Sequence, residues 1–417
     1  MDASLLTSAA YWNDPESPVP DIPELVGHVL FETSGSTGNP KWVALSKQAL
    51  LVSAAAVNRH LGVTSKSCWG LALPLNHVGG FGVAARAYEA GCRFENFSHR
   101  WDASGFLDWL ERGKITHTSL VPTQVHDLVK AQLTAPATLL AIVVGGGHLD
   151  HLTGQAARDL GWPVLASYGM TEAGSQIATQ GFEALQVPYQ PSPLLLLPIW
   201  EAEISAAGVL AISGPALFSG YLSGGKFSPR ESTWHTTSDR VALENFKLTP
   251  LGRADALVKI LGELVDPEAI ERELLAISCG ELVAGTFAVI AIPDERAGHR
   301  LIPLFESSVS PALIASALSG YQAQAPGFRR LGTAVVLGEF PRSGLGKLRR
   351  GELTALNQQS LTAHHAPPAR GAPRNASLTS RRVPRHPPRD SSRRSSCRCS
   401  TQWSRETNPS FRFPPPA

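Results

Sequence analysis

Short apolar runs alternate in the first part of the chain with longer segments whose apolar residues recur at helical spacing. Trp69–Leu73 and Leu139–Val144 are apolar runs of strand length that stop at a Pro or a Gly. After Ser46, apolar positions recur at helical spacing as far as Leu61, which predicts a helix capped by that serine. Such alternation predicts an open, largely parallel α/β sheet, with function at loops that follow the carboxyl ends of strands.

The pattern changes after position 194. Residues 194–248 contain short strand-like runs separated by turns, which predict a β-rich subdomain. Beyond it, helical and strand patterns mix in a small unit. The predicted fold class is α/β: a large domain with mostly parallel sheets flanked by helices plus a β-rich subdomain, and a small C-terminal α+β domain. We place the domains at residues 1–254 and 255–357, followed by a tail at 358–417.

The tail has a composition unlike that of the rest of the chain. It holds eleven Arg, no Lys and two acidic residues, with many Pro and Ser and few aliphatic side chains. Such a segment cannot bury enough apolar surface to offset the entropy of ordering, so we expect disorder. Its arginines could contact RNA or an anionic membrane. Alternatively, the tail is an accidental extension past the natural terminus.

Composition excludes several classes of function for the body of the chain. The formal net charge of the whole is +2, so the part before the basic tail is net acidic and unsuited to nucleic acid. The longest apolar run, Leu194–Trp200, is too short to cross a bilayer, and no signal-peptide pattern opens the chain. The five cysteines are not spaced like those of a disulfide framework, so we expect them to be reduced thiols. We expect a cytoplasmic protein with no nucleic-acid or membrane partner; the sequence leaves its oligomeric state open.

A loop rich in glycine and hydroxyl groups follows the apolar run Val29–Phe31. Its glycines let the backbone turn and bring amides close to a bound anion, while its hydroxyls and a lysine add donors. The loop lacks the spacing of the P-loop of ATPases and GTPases. A solvated Gly/Ser turn is the alternative to a phosphate site. The candidate phosphate-binding residues are Thr33, Ser34, Gly35, Ser36, Thr37, Gly38 and Lys41.

Five later segments carry residue types that nucleotide sites use: Gly145–Gly147, Tyr168–Glu172, Thr237–Asp239, Gly252–Asp255 and Pro341–Lys347. Together with the loop, these segments resemble, in the same order, the motifs of the adenylate-forming family of acyl-CoA synthetases, luciferases and peptide-synthetase adenylation domains. The resemblance implies a reaction that joins a carboxylate to the α-phosphate of ATP. That reaction needs a phosphate cradle, a divalent cation, an anchor for the ribose and a cation near the developing charge.

The resemblance implies roles for the matching residues and implies ATP, Mg²⁺ and the co-substrate CoA as cofactors. Tyr168 would lie near adenine, Thr171 would contact the α-phosphate, and Glu172 would hold Mg²⁺, a hard cation that prefers carboxylate oxygen. Gly145, Gly146 and Gly147 would contact adenine, and Asp239 and Arg253 would contact the ribose. Asp255 would be a hinge, and Lys259 and Gly262 would belong to a strand pair that faces CoA. His77 would be a gate beside the acyl pocket, and Lys347 would be catalytic.

Each of these assignments has a plainer alternative. A glycine triplet is usually a turn, His77 could be a loop or helix-capping residue, Glu172 a surface acid, and Lys347 a structural lysine on a solvated loop. Gly214–Tyr221 matches a further family motif, to which we assign a structural role. Ser238 stands where the family has glycine, and a positive φ there would strain the backbone by about 1 kcal/mol.

Two segments narrow the expected substrate. Ser119–Gln124 and Ser167–Gln176 are most similar to the o-succinylbenzoate–CoA ligases of menaquinone synthesis, which implies that Ser175 and Gln176 line the acyl pocket. The expected partners are then a small carboxylic acid, ATP and CoA. Alternatives are another aryl or acyl acid–CoA ligase, a nucleotide-binding homologue without turnover, or an adenylation domain that loads a carrier protein. The family normally has a long region before the phosphate loop, so we expect a minimal or a truncated ligase.

Overall fold

The computed structural model describes residues 3–33, 41–343, 346 and 348–364, with side chains described as far as Asn357. These residues belong to one compact unit, Met1–His365. The predicted tail from residue 365 onward, most of the phosphate loop and Lys347 lie outside the described residues.

The first part of the chain builds a parallel sheet with helices between its strands. Strands β3, β5 and β6 are buried along their whole length, as the apolar and small side chains of β3 and β6 predict. The Ser46 hydroxyl caps the second helix by accepting from the amide of Ala49 at 3.0 Å. The elements are α1 (Ala9–Asn13), β1 (His28–Thr33), β2 (Lys41–Ser46), α2 (Lys47–His60), β3 (Cys68–Leu71), α3 (Val78–Glu89), β4 (Arg93–Asn96), α4 (Ala103–Gly113), β5 (His117–Leu120), α5 (Pro122–Lys130), β6 (Ala141–Val144), α6 (His151–Asp159) and β7 (Val164–Met170).

The next part of the chain adds antiparallel strands to this sheet and builds two smaller sheets. Its elements are β8 (Ser175–Thr179), β9 (Leu194–Leu196), β10 (Glu201–Ile204), β11 (Leu210–Ser213), β12 (Gly220–Ser223), β13 (Lys226–Pro229), β14 (Trp234–Thr236), β15 (Asp239–Glu244) and β16 (Lys247–Arg253). Among the described residues, the large sheet has nine strands in the order β15-β16-β9-β8-β7-β6-β5-β3-β4. Strands β7 to β4 in that order run parallel, and those on the other side of β7 are antiparallel. The smaller sheets are β1-β2-β12-β13 and β10-β11-β14.

The last described part is a small α+β unit with its own core. Its helices α7 and α8 pack on one face of a three-stranded sheet, in a core that includes Ile270, Phe287 and Phe305. The last helix packs on the other face through Leu353. The elements are β17 (Val258–Ile260), β18 (Glu263–Val265), α7 (Pro267–Ile277), β19 (Phe287–Asp294), β20 (Gly298–Glu306), α8 (Pro311–Gln322), β21 (Val335–Leu337) and α9 (Arg350–His364).

The predicted fold class is confirmed, whereas the domain boundaries stay predictions. Helix α9 continues to His364, past the position where the sequence placed the start of the tail, because the first prolines come only at Pro367 and Pro368. Ser238 is not among the residues with positive φ, so the strain considered for it does not arise. In the described part of the chain, no helix has both the length and the apolar character needed to cross a bilayer.

Candidate functional site

The predicted site residues gather where the parallel part of the large sheet gives way to its antiparallel part. Strand β7 carries Tyr168 near its carboxyl end, and a short 3₁₀ helix, Thr171–Ala173, follows at once with Glu172. Strand β8 then runs back along β7, so that Met170 pairs with Ser175. The turn between the two strands therefore presents side chains for a nucleotide and for an acid next to each other.

Three of the predicted nucleotide-site residues and the predicted hinge residue Asp255 lie in one group joined by hydrogen bonds and an ion pair. The Tyr168 hydroxyl donates to Asp239 Oδ2 at 2.5 Å, and Arg253 Nη1 lies 3.5 Å from Asp239 Oδ1. Arg253 also donates to Asp255 through Nε at 2.8 Å and through Nη2 at 2.5 Å. Because Arg253 and Asp255 are each about half exposed, with 49% and 47% of the side chain accessible, we expect this pair to add little stability.

The pKa shifts in this group follow from its contacts. Burial, and then the charge of Asp239, raises the pKa of Tyr168 far above the working range, so its hydroxyl stays a donor. The hydrogen bond from Arg253 lowers the pKa of Asp255, and the same bond raises the pKa of Arg253. Arg253 and Asp255 therefore keep their charges at neutral pH, and a carboxylate in this group can accept hydrogen bonds from sugar hydroxyls.

A second group joins the predicted metal ligand to the exit of the phosphate loop. The Tyr221 hydroxyl donates to Glu172 Oε1 at 3.1 Å, and Lys41 Nζ lies 3.0 Å from the centroid of the Tyr221 ring. Burial, followed by the charge of Glu172, raises the pKa of Tyr221. No group of three or more His, Cys, Asp or Glu residues that could hold a metal is found among the described residues. A single carboxylate still suits Mg²⁺, which is commonly held by one or two carboxylates together with substrate phosphates.

The predicted acyl side of the site contains a buried cation that the sequence analysis missed. Arg86 on α3 is 2% exposed, and it donates from Nη1 to Ser119 Oγ at 3.2 Å and from Nη2 to Ser175 Oγ at 3.3 Å. Its guanidinium carbon lies 5.2 Å from the Trp69 ring centroid. Burial lowers the pKa of Arg86 to about 9, which still leaves it charged at neutral pH.

Arg86 has no carboxylate partner within the described part of the chain, since none of the ion pairs there includes it. A buried cation with only hydroxyl and aromatic contacts is costly, because no opposite charge compensates it. A signal was present in the sequence: α3 is otherwise made of small and apolar residues until its end, and Arg86 interrupts them.

Ser175 is held in an unusual backbone conformation beside this cation. Its φ is 114°, a region that residues other than glycine seldom adopt. Gly169 makes this arrangement possible, because a Cβ at that position would collide with the Ser175 carbonyl. Strain of this kind is found at functional sites, where the surrounding structure fixes it. The predicted pocket residue Ser175 is thus directed at Arg86.

Other predicted residues lie nearby without a contact that fixes their role. His77 is the N-cap residue of α3, and burial lowers its pKa. The Gln176 side chain donates to Thr179 Oγ1, so its role in the acyl pocket stays a prediction. Gly145–Gly147 follow β6, with Gly146 at a φ of 75°. The side chain of Thr171 has no hydrogen-bond partner among the described residues.

Of the predicted site residues near the C-terminal end, the structure describes the neighbourhood of Lys347 but not Lys347 itself. Gly346, next to the predicted catalytic Lys347, lines a cavity of about 180 Å³ with Thr123 and Trp101. A larger cavity of about 520 Å³ lies beside the β17–β18 pair, lined by Arg240, Leu264 and others. The residues lining that cavity do not include Tyr168, Glu172 or Arg86. We therefore locate the site by its side-chain chemistry rather than by the volume of a cavity.

Comparisons with known proteins identify the family of this chain. Residues 8–222 match the AMP-binding enzyme family, and the chain belongs to that family. It is similar to the 2-succinylbenzoate–CoA ligase of Enterococcus faecalis, at 30% identity over 290 residues, which are 66% of this chain and 58% of that protein. It is also similar to a protein named "Probable 2-succinylbenzoate--CoA ligase" from Mycobacterium tuberculosis, at 32% identity over 343 residues, 78% of this chain and 83% of the relative.

Solved structures show the same likeness. The o-succinylbenzoate CoA synthetase of Bacillus subtilis, in complex with the acyl-adenylate intermediate OSB-AMP, superimposes with a TM-score of 0.66 at 26% identity, covering 78% of this chain and 68% of that one. The same synthetase in complex with ATP and magnesium ion gives a TM-score of 0.65, also at 26% identity, covering 78% and 69%. The chain nevertheless spans less than three fifths of the curated relative from Enterococcus faecalis, 58% of its length.

Proposed function

We propose that the chain is an ATP-dependent acid–CoA ligase whose acid is o-succinylbenzoate. The reaction joins the acid to the α-phosphate of ATP with release of diphosphate, and CoA then displaces AMP to give the acyl-CoA thioester. The family membership, the order of the motifs and the two groups around Glu172 and Asp239 support the reaction class. The likeness to 2-succinylbenzoate–CoA ligases supports the acid.

The main structural support for this acid is the buried Arg86, which has no carboxylate partner among the described residues. o-Succinylbenzoate has two carboxylates, of which only one is activated in the reaction. The other enters the pocket with its charge and needs a buried cation as partner. Arg86 offers such a cation between Ser119 and Ser175, without a competing carboxylate among the described residues. A simple fatty acid has no group that would compensate this charge.

The remaining roles are proposals of the same kind. Tyr168 and Gly145–Gly147 would contact adenine. Asp239 and Arg253 would contact the ribose, and Thr171 would contact the α-phosphate. Glu172 would hold Mg²⁺, which when bound neutralises phosphate charge. The hydrogen bond from Tyr168 holds the Asp239 carboxylate beside the end of β7, and this contact supports a role for the pair at the ribose.

The loop residues Ser34–Gly38, Lys347, the hinge at Asp255, the gate at His77 and Lys259 beside CoA also stay proposals. The C-terminal lysine would reach the reacting carboxylate and the α-phosphate, and it would leave when the small unit turns about Asp255. A cytoplasmic location likewise stays a prediction.

A diphosphate-release screen tests the proposal. The full chain would be given ATP, Mg²⁺ and one acid at a time, with CoA present or absent, and the thioester would be identified by mass. We expect release with o-succinylbenzoate, and thioester only when CoA is added. The matched acid is 4-oxo-4-phenylbutanoate, which lacks the ring carboxylate. Loss of a charge-assisted hydrogen bond of 1.5–3 kcal/mol should lower its kcat/KM by about 10- to 100-fold.

The other outcomes separate the alternatives. Preference for a fatty acid or for benzoate would reject the acid and keep the reaction class. Diphosphate release without any thioester would indicate a carrier-loading adenylation domain. ATP binding without turnover on any acid would indicate a homologue that has lost activity.

A further inference from the structure

The segment Gly214–Tyr221, to which the sequence analysis gave only a structural role, encloses Glu172. Its Phe218 amide donates to the Glu172 carbonyl at 2.8 Å, and its last residue donates through the Tyr221 hydroxyl to the Glu172 carboxylate at 3.1 Å. The segment thus holds both the backbone and the side chain of the proposed metal ligand.

The same tyrosine also binds a charge of the opposite sign. Tyr221 lies on β12, which pairs with β2 so that Tyr221 faces Val43, two residues beyond Lys41. This pairing brings the Lys41 ammonium onto the face of the ring, 3.0 Å from its centroid. An aromatic face attracts a cation through its quadrupole, so the ring is a binding partner for Lys41 and not only a spacer.

The cation and the carboxylate are close, yet they do not pair with each other. Within the described part of the chain, neither Lys41 nor Glu172 belongs to an ion pair. Lys41 lies on the ring face, while Glu172 lies at the hydroxyl on the ring edge. Direct pairing would neutralise both charges, which the proposed function needs separately for phosphate and for metal.

We propose that Tyr221 is a positioning residue that keeps Lys41 and Glu172 apart, so that the carboxylate stays free for a divalent cation and the ammonium for phosphate. This inference rests on the proposed function, because it assigns the metal to Glu172. It goes further by giving Tyr221 a role in metal affinity that acts through Lys41.

The test is a double-mutant cycle on metal-dependent nucleotide binding, which needs no turnover. Binding of α,β-methylene-ATP to the full chain would be measured by calorimetry over a range of Mg²⁺ concentrations. Tyr221→Leu should raise the Mg²⁺ concentration for half-maximal stimulation of binding about tenfold, because Lys41 then pairs with Glu172. In a Lys41→Met background the same change should shift that midpoint by less than about twofold.

Two single substitutions separate the effect of the Tyr221 ring from that of its hydroxyl and provide a control. Tyr221→Phe keeps the ring that binds Lys41 and removes only the hydroxyl, so it should shift the midpoint less than Tyr221→Leu does. Tyr321→Phe is the matched control, since it also removes one tyrosine hydroxyl bond, to the Arg329 carbonyl, in the small unit. It should leave the midpoint unchanged.

The outcomes separate this inference from the proposed function. Equal shifts by Tyr221→Leu with and without Lys41 would show that the ring does not act through Lys41, and would overturn the inference while the proposed function stands. An unchanged midpoint in Tyr221→Leu would also overturn it. Binding by the wild type that does not respond to Mg²⁺ would contradict the proposed function, and the inference with it.

Discussion

The two ends of the proposed site hold their charges in opposite ways. At the nucleotide end, Arg253 is about half exposed and shares two carboxylates, Asp239 and Asp255, at 3.5 Å and 2.5 Å. At the acyl end, Arg86 is buried and contacts two hydroxyls and an indole ring. The first cation is already neutralised by the protein, whereas the second is left for a ligand.

This difference indicates where each end obtains its selectivity. Exposed ion pairs contribute little energy and rearrange easily, which suits a nucleotide that enters and leaves in every cycle. A buried cation without a counter-ion penalises every ligand that fails to supply one. We therefore expect the nucleotide end to set ATP affinity and the acyl end to choose the acid.

Removing the shared carboxylate should break the nucleotide end. Asp239→Asn takes the charge from the acceptor of both Tyr168 and Arg253. Because hydrogen bonds to charged groups contribute 1.5–3 kcal/mol, the KM for ATP should rise by about 10- to 100-fold, with the preference between acids unchanged. Steady-state kinetics with two acids would measure both quantities. A changed acid preference would show that the two ends are not independent.

The stability of the protein should depend on pH through a buried histidine near the acyl end. The centroid of the His117 ring lies 5.3 Å from that of Trp69, the ring that Arg86 contacts. Burial lowers the pKa of His117 to about 4. The unfolded chain binds this proton near pH 6.5, so the contribution to stability is complete above that pH and is lost as pH falls toward 4. The free energy of unfolding should drop by about 1–2 kcal/mol between pH 7 and pH 5 from this group.

Denaturant titrations at several pH values would measure that loss. His117→Gln should flatten the pH dependence over this range, and His151→Gln, the same change at an exposed position at the start of α6, should not. Identical pH profiles for wild type and His117→Gln would contradict a neutral, buried His117.

The residues proposed for the nucleotide end were found from the sequence because they belong to short motifs, at strand ends, that resemble the motifs of a known family. Tyr168 and Glu172 fall on β7 and the turn after it, where an open parallel sheet places function. Asp239 and Arg253 face each other because β15 pairs with β16, a hairpin of neighbouring strands. The structure places Tyr168, Asp239 and Arg253 in contact, and the roles of all four residues stay predictions.

The acyl end could not be predicted in the same way. Arg86 meets Ser119 and Ser175 across 33 and 89 positions of sequence, and no local pattern records such contacts. The φ of Ser175 depends on Gly169 across a hairpin with an irregular register. The role of Tyr221 likewise depends on the pairing of β12 with β2, which joins distant parts of the chain.

The central claim is that Arg86 selects an acid with a second carboxylate. The direct measurement is the ratio of kcat/KM for o-succinylbenzoate to that for 4-oxo-4-phenylbutanoate, in wild type, Arg86→Met and Arg158→Met. Arg158 is the control, because it is a half-buried arginine that donates to backbone carbonyls of Val187 and Val164. Melting temperatures would confirm that each variant is folded.

The account predicts that Arg86→Met lowers this ratio by about 10- to 100-fold, toward one, mainly through loss of activity on o-succinylbenzoate. Arg158→Met should leave the ratio as in the wild type. An unchanged ratio in a folded Arg86→Met variant would contradict the account.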